Sequence, residues 1–244
     1  GIDDPAERTA VLWAVVDRYN AHLRAATDDA LLHDDAKRLS GVLAKRAQRH
    51  NWADTVAGDM ERHYSPGRTW EALGRGFANL LELGDVLDIA SGDGVLAELL
   101  APLSKRYVCI DSSAKVVAAA SERLQKLDHV EVIEGDMQAL PFDKPQFDLV
   151  LLMHALTYAD KPGVAIAEGA RVLRKGGQLL ATCLGRHEHK AAVTPYGHVN
   201  LGFTEKELRR HAEKAGLFVV TCESVTREKR PPHFEVLTLL ARKA

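Results

Sequence analysis

The chain has 244 residues, 46% hydrophobic and 27% charged, with a formal net charge of −2 at pH 7. This composition is typical of a folded globular protein and excludes collagen-like, disordered and disulfide-stabilised chains. A charge so close to zero provides no global attraction to nucleic acid or to an anionic membrane, and three widely spaced cysteines favour a reducing cytoplasm.

Apolar residues recur at helical spacing in the first fifty residues and predict two helices separated by Thr27-Asp28-Asp29. Each helix carries one apolar face, and two such helices cannot bury both faces alone. We therefore expect residues 1–63 to pack on the main domain, on another domain or on a second copy of the chain. Residues 64–244 are expected to form the main domain.

Strand and helix signals alternate from Gly84 onward, after a predicted helix that begins near Trp70. The predicted strands cover residues 86–90, 106–110, 130–133, 147–153, 178–184, 218–225 and 234–241. The predicted helices between them cover residues 95–103, 114–127, 162–173 and 204–215. The third is expected to stop near the glycine pair Gly176-Gly177. The fourth begins at Thr204, which has capping-box spacing with Glu207. The pattern predicts an α/β fold with a parallel sheet covered on both faces and an antiparallel hairpin at one end.

A glycine-rich turn follows the first strand. Residues 92–97 satisfy G-x-G-x-x-G/A, and Asp111 ends the next strand, which by itself would equally suggest a dinucleotide enzyme. However, Asp88 and Asp93 place two carboxylates where a pyrophosphate would bind. A ligand with a cationic amine and a sulfonium and no phosphate, such as S-adenosylmethionine, suits this turn better.

Acidic residues at the ends of three successive strands extend this interpretation. Asp111 is placed to accept hydrogen bonds from ribose hydroxyls, and an acid within residues 134–137 is placed to accept from the amine of adenine. Each acid alone is most simply a solvated loop residue. Together they lie at the edge where open α/β sheets bind ligands.

The segments 86–94, 109–113 and 134–137 resemble the signature segments of class I S-adenosylmethionine-dependent methyltransferases, and residues 171–177 and 202–217 resemble later segments of that family. The resemblance implies a Rossmann-like, seven-stranded mixed sheet with one antiparallel strand, S-adenosylmethionine as cofactor and S-adenosylhomocysteine as product. Ala90 departs from the family, which has glycine there; alanine fits if its φ is negative.

A narrower resemblance is to bacterial proteins that fuse an ArsR-type winged-helix regulator to a methyltransferase, carried by the opening helices and by residues 64–70 and 201–203. It implies that Gly1 follows the regulator and that the N-terminal helices join the two parts and form a homodimer. Nucleic-acid contact by this chain itself is not expected.

The residues predicted to bind the cofactor are Tyr64, Asp88, Ala90, Ser91, Gly92, Asp111, Ser112, Gly135, Asp136, Met137, Met153 and His154. The candidate catalytic residues are Tyr158 as pocket wall and His189 or His198 as base or substrate contact, because imidazole titrates near neutral pH. The alternatives are a histidine-rich surface loop, or a metal bound by His187 or His189 with His198. No third ligand is evident, so no metal is predicted.

The sequence thus predicts a soluble, cytoplasmic methyltransferase with a small-molecule acceptor and no membrane contact. The alternative is a sensor of S-adenosylmethionine or S-adenosylhomocysteine that signals without turnover, and a dinucleotide oxidoreductase is a more distant reading. Cys109 and Cys222 are expected in the core and only Cys183 near a pocket, so arsenite is not the expected acceptor.

Overall fold

The structure, a computed structural model, describes Asp17, residues 37–39 and residues 70–244. The chain divides into two compact units, Gly1–Arg68 and Thr69–Ala244, and the elements below belong to the second. Asp17 and residues 37–39 are helical. The rest of the predicted helical segment 1–63, together with Tyr64, lies outside the described residues. Within the described ranges, no helix is both long enough and apolar enough to cross a membrane.

The described part of the chain contains seven strands and six α-helices, which are numbered here in chain order. The strands are β1 Asp85–Ile89, β2 Arg106–Asp111, β3 Val130–Glu134, β4 Phe147–Met153, β5 Leu173–Leu184, β6 Leu217–Arg227 and β7 Glu235–Lys243. The helices are α1 Trp70–Ala78, α2 Val95–Leu100, α3 Ala114–Leu124, α4 Pro162–Val172, α5 Lys190–Val193 and α6 Glu205–Lys214. Short 3₁₀-helices occupy Ala101–Leu103, Ala155–Tyr158 and Thr194–Tyr196.

All seven strands form one sheet in the order β3-β2-β1-β4-β5-β7-β6. The first five strands pair in parallel, and β7 pairs antiparallel with both β5 and β6. The predicted seven-stranded mixed sheet with one antiparallel strand is confirmed. Chain connections reverse direction between β1 and β4, and ligands of open α/β sheets bind outside the carboxyl ends of the strands at such a point.

Helices cover the sheet on both faces, because the strands in its middle are apolar on both sides. One face packs against α4 and α6, with Ile166 and Leu208 fully buried. The other face packs against α2 and α3 through Ala97 and Leu124. The hydrophobic cores on the two faces of the sheet hold the strands in place. They therefore also fix the position of the loops that follow the strands.

Local signals fix most helix ends, with one correction. The capping box at Thr204 is present in both directions, so α6 begins where its sequence predicts. In contrast, α4 ends at Val172, and Gly176-Gly177 lies inside β5 rather than stopping the helix. Pairing of Leu173 with Phe147 of β4 extends the strand backward, and a register shift after Phe147 accommodates the glycines.

Candidate active site

A cavity lies at the carboxyl ends of β1, β2 and β3, and we call it the strand-end cavity. Its lining residues are Ala90, Ile110, Asp111, Ser112, Gly135, Asp136, Met137, Gln138 and Tyr158. Six of these were predicted as cofactor-binding residues and Tyr158 as a pocket wall; Ile110 and Gln138 were not predicted. The parallel strands bring together residues that are distant in the sequence because their carboxyl ends share one edge of the sheet.

Asp111 connects the strand-end cavity to the glycine-rich turn. One carboxylate oxygen accepts a hydrogen bond from the backbone N–H of Gly92 at 3.1 Å, and the other accepts from that of Ser113 at 3.0 Å. A carboxylate has about four acceptor positions, so two of them stay available on a side chain that lines the cavity. Asp111 thus both shapes the turn and presents acceptors to a ligand.

The backbone at Ala90 is left-handed. Its φ is +56°, so the expectation that alanine occupies this position with a negative φ is wrong. The turn that directs the chain from β1 toward α2 demands a positive φ here, as it does at Gly92, where φ is +61°. A Cβ at Gly92 would project into open space, whereas one at Gly135 would come within 2.6 Å of the Cδ1 atom of Ile110. Gly135 therefore lets β3 approach β2 closely beneath the cavity.

Two carboxylates near the turn lie outside the lining of the strand-end cavity. Asp88 is 1% exposed and accepts a hydrogen bond from the Tyr107 hydroxyl at 2.9 Å. Burial raises its pKa to about 7, an effect that the Tyr107 hydrogen bond opposes and the charge of Asp111 reinforces. The Asp93 carboxylate turns away and pairs with Arg123 at 2.9 Å. Neither group lines the strand-end cavity, so the expected repulsion of a diphosphate by Asp88 and Asp93 needs correction; Asp111 and Asp136 are the acids that line it.

Arg123 of α3 holds the glycine-rich turn from the outside. It donates to the Asp93 carbonyl oxygen at 2.9 Å as well as to the Asp93 carboxylate, and it also pairs with Glu98. Ser91, at the other side of the turn, has a buried Oγ whose neighbour is the thiol of Cys109. The turn is therefore held on its outer side by Arg123.

A second, larger cavity of about 460 Å³ lies beside the first, and we call it the aromatic cavity. Its lining includes His154, Tyr158, Tyr196, His198, Glu228 and Phe234. The ring of His198 packs edge-on against that of Tyr158, with 5.2 Å between centroids. Tyr158 lines both cavities and forms a shared wall. His154, which was predicted to contact the cofactor, lies on the aromatic cavity instead.

His189 lies apart from this group. It lines a third cavity with His187 and Arg227. The rings of His187 and His189 stack against each other, with 6.0 Å between centroids. Phe234 separates this third cavity from the aromatic cavity, because it lines both. In the part of the chain that the structure describes, no three histidine, cysteine or acidic side chains are grouped so that they could hold a metal ion.

Met153 and the three cysteines lie in or beside the hydrophobic core. Met153 is half-buried beside the second core, and its sulfur lies 3.9 Å from the Thr182 hydroxyl. Cys109, Cys183 and Cys222 are all free and buried, so Cys183 does not face a pocket as expected. No thiol is thus presented to either cavity.

Sequence reasoning missed the contribution of the β6–β7 connection, residues 228–234, to the aromatic cavity. A signal was available in the strand order. Because β7 is antiparallel to both β5 and β6, β6 runs in the same direction as β5. The carboxyl end of β6 therefore lies at the same edge as the strand-end cavity. Glu228 and Arg230 reach the aromatic cavity for this reason.

Comparison with known proteins supports the same assignment. Residues 87–181 match the family model described as a methyltransferase domain. A ubiquinone/menaquinone biosynthesis C-methyltransferase of Allorhizobium ampelinum is 33% identical over 101 residues, which are 39% of this chain and 39% of that protein's length. A demethylmenaquinone methyltransferase of Mycobacterium sp. is 28% identical over 201 residues, or 82% of this chain and 81% of that protein.

The fold is also that of solved methyltransferases. Geranyl diphosphate C-methyltransferase from Streptomyces coelicolor, solved with Mg²⁺, geranyl diphosphate and S-adenosyl-L-homocysteine, superposes with a TM-score of 0.60 at 16% identity. The match covers 71% of this chain and 78% of that one. The resemblance to ArsR-type fusion proteins is not among these matches and stays a prediction. The family match over residues 87–181, the relatives and the fold together support a methyltransferase domain that uses S-adenosylmethionine.

Proposed function

We propose that this protein transfers a methyl group from S-adenosylmethionine to a small-molecule acceptor. The cofactor binds in the strand-end cavity and the acceptor in the aromatic cavity. The observation that carries the proposal is the shared wall at Tyr158, which puts a polar, acid-lined cavity directly beside a larger aromatic one. A volume of about 460 Å³ lies within the usual range for small-molecule sites.

The residues present fit this cofactor. Asp111 keeps acceptor positions for ribose hydroxyls, Asp136 is placed to accept from an adenine amine, and Ile110 and Met137 provide apolar surface for the base. The bound cofactor supplies an activated methyl group on a sulfonium, so the protein's contribution is alignment, exclusion of water and proton transfer.

A sensor without turnover is the less favoured alternative. A sensor has no need for space beside the cofactor and could fill it with side chains. The open aromatic cavity, lined by His154 and His198 and reaching Tyr158, instead favours an enzyme with room for an acceptor. The relatives named for demethylmenaquinone and the neighbour solved with geranyl diphosphate act on small organic molecules, which supports a small-molecule acceptor.

Several further expectations remain proposals. We propose that residues 64–244 form the catalytic domain, that residues 1–63 mediate a homodimer, and that the enzyme acts in the cytoplasm; the cofactor contact expected of Tyr64 stays a prediction. Supporting the last is the presence of three cysteines that are all free and buried. Tyr158 and His198 are the residues that we propose to contact the acceptor; His189 lies in a different cavity and is assigned no role in the transfer.

Calorimetric titration with S-adenosylhomocysteine tests the cofactor site. Asp111→Ala removes the charged acceptors of the ribose hydrogen bonds. We expect the binding free energy to weaken by about 1.5–3 kcal/mol, which raises the Kd by roughly 10- to 150-fold. Asp136→Asn should also weaken binding, because its side chain lines the cavity.

Glu134→Gln is the matched control for this experiment. Glu134 ends β3 two residues before Asp136 but does not line the strand-end cavity. Its substitution should leave the Kd unchanged. An unchanged Kd in Asp111→Ala would mean that the cofactor binds elsewhere, and thermal unfolding of each unliganded variant separates binding from loss of the fold.

A further inference from the structure

The aromatic cavity contains a histidine and a carboxylate that the proposed function leaves without a role. We propose that His154 is the proton acceptor in methyl transfer to an aromatic hydroxyl group, with Glu228, on the lining of the same cavity, as the carboxylate that balances its charge. This inference rests on the proposed function, since it takes the aromatic cavity as the acceptor site. It adds the substrate class, phenolic compounds, and a residue pair in which Glu228 comes from a distant part of the chain.

The backbone of His154 is held in an unfavourable conformation that exposes its ring to the cavity. Its φ is +59°, in the left-handed region that residues other than glycine rarely adopt. Two hydrogen bonds hold it there: its N–H donates to the Thr182 carbonyl at 2.8 Å, and its carbonyl accepts from the Thr157 hydroxyl at 2.8 Å. Strain of this kind persists where the surroundings hold it, and it concentrates at functional sites.

Charged and titratable groups from three segments line the cavity together with this ring. Tyr158 comes from the 3₁₀-helix after β4, Tyr196 and His198 from the segment after α5, and Glu228 and Arg230 from the β6–β7 connection. Burial lowers the pKa of His154, the charge of Glu228 opposes this, and the charge of His198 adds to it. The imidazole is therefore neutral at pH 7, as a proton acceptor must be, and Glu228 is the group that stabilises the imidazolium once the proton has arrived.

The second imidazole is held in a fixed position opposite the first. The N–H groups of Val199 and Asn200 both donate to the Thr157 carbonyl, and the Asn200 side chain donates to the carbonyls of Leu156 and Ala159. These bonds tie the segment that carries His198 to the 3₁₀-helix. The buried Nδ1 of His198 has no partner within the described residues and is available to a polar atom of the acceptor.

The chemistry of the cavity favours an acceptor that has to lose a proton. A neutral amine already has a free electron pair, and a thiol ionises readily near neutral pH, so neither depends on a base as a hydroxyl does. Phe234, Tyr158 and Tyr196 provide ring faces that suit a planar aromatic molecule. In the step, the hydroxyl proton passes to His154, the oxygen forms a bond to the methyl carbon, and the carbon–sulfur bond breaks with its electron pair left on sulfur, giving the methyl ether and S-adenosylhomocysteine.

Histidine proton NMR, followed against pH on the full chain, tests the pair without any acceptor. The signal of His154 is identified by its loss in His154→Asn, a substitution that tolerates the left-handed backbone. Glu228→Gln should lower the pKa of His154 by at least about half a pH unit, because it removes the charge that favours the imidazolium. Glu223→Gln, on the exposed face of β6, is the control and should leave it unchanged. An unchanged His154 signal in Glu228→Gln overturns the pairing.

Single-turnover transfer then tests the substrate class with phenol, catechol and 2-naphthol beside aniline and thiophenol. We expect methyl ethers from the hydroxyl compounds, with a rate at pH 7 that falls by about 100-fold or more in His154→Asn while the Kd for S-adenosylhomocysteine stays the same. Binding of S-adenosylhomocysteine with transfer only to aniline or thiophenol, or with no transfer to any hydroxyl compound, overturns this inference and leaves the cofactor assignment intact. Failure to bind S-adenosylhomocysteine overturns the proposed function itself.

Discussion

The buried carboxyl group of Asp88 allows a quantitative test of the electrostatics beneath the glycine-rich turn. Only 1% of the residue is exposed, and among the described residues its carboxyl group accepts a hydrogen bond from the Tyr107 hydroxyl at 2.9 Å. Burial raises the pKa from 3.8 to about 7. We therefore expect Asp88→Asn to stabilise the fold at alkaline pH more than at acidic pH.

The magnitude follows from the difference in proton affinity between the folded and unfolded states. Below about pH 4 the carboxyl group of Asp88 is protonated in both states. As the pH rises from about 4 to 7, the unfolded state ionises while the folded state keeps its proton, so the free energy of unfolding falls. At about 1.4 kcal/mol for each pH unit, the penalty is about 1.5 kcal/mol at pH 5 and about 4 kcal/mol at pH 8.5. The neutral variant lacks this penalty, and its advantage over the parent should grow by roughly 2–3 kcal/mol between these pH values.

Urea unfolding followed by far-UV circular dichroism at pH 5.0 and 8.5 measures this change. Comparing the two pH values cancels the constant cost of placing an amide where the carboxyl group was. Asp128→Asn, at an exposed position between α3 and β3, serves as the control and should show no such growth. An advantage of Asp88→Asn that is equal at both pH values would refute the reasoning, because it would mean that the buried charge is not what limits stability.

Three further predictions concern the turn, the strand contact beneath it and a helix end. Arg123→Gln should raise the Kd for S-adenosylhomocysteine by about 3- to 10-fold, because the substitution releases the glycine-rich turn. The control, Arg106→Gln, removes a comparable exposed ion pair and should leave this Kd unchanged. Gly135→Ala should lower the free energy of unfolding by about 1–3 kcal/mol through its clash with Ile110, and adding Ile110→Val should recover part of the loss in thermal unfolding. Thr204→Ala should cost about 0.5–2 kcal/mol by removing the capping box; an unchanged melting temperature would contradict this.

The sheet could be predicted from the sequence because its signals are local and strong. Apolar runs such as 147–153 define buried strands, and the observed β4 has these bounds. The error at Gly176-Gly177 has a long-range cause, since pairing with Phe147 outweighs the preference of glycine for a helix end. The positive φ of Ala90 could not be predicted either, because the turn imposes it against the preference of alanine.

The two cavities differ in how far sequence reasoning reached. Residues of the strand-end cavity, such as Asp111 and Asp136, follow directly after predicted strands, so their position comes with the strand. His154 also follows a strand, yet its left-handed backbone directs it to the other cavity. Glu228 could be placed only through the strand order, and the burial of Asp88 only through its contact with Tyr107 on a neighbouring strand.

Because of the direction of β6, the two cavities are lined by two different stretches of the sequence. The strand-end cavity is built mainly from residues 90–138, while the aromatic cavity draws most of its lining from residues 184–234, with only His154 and Tyr158 from before them. Under the proposed function, evolution can therefore replace the second stretch, and with it the acceptor, while the stretch proposed to bind the cofactor stays as it is. Exchange of residues 184–234 between related domains is accordingly a rational route to enzymes with altered acceptors.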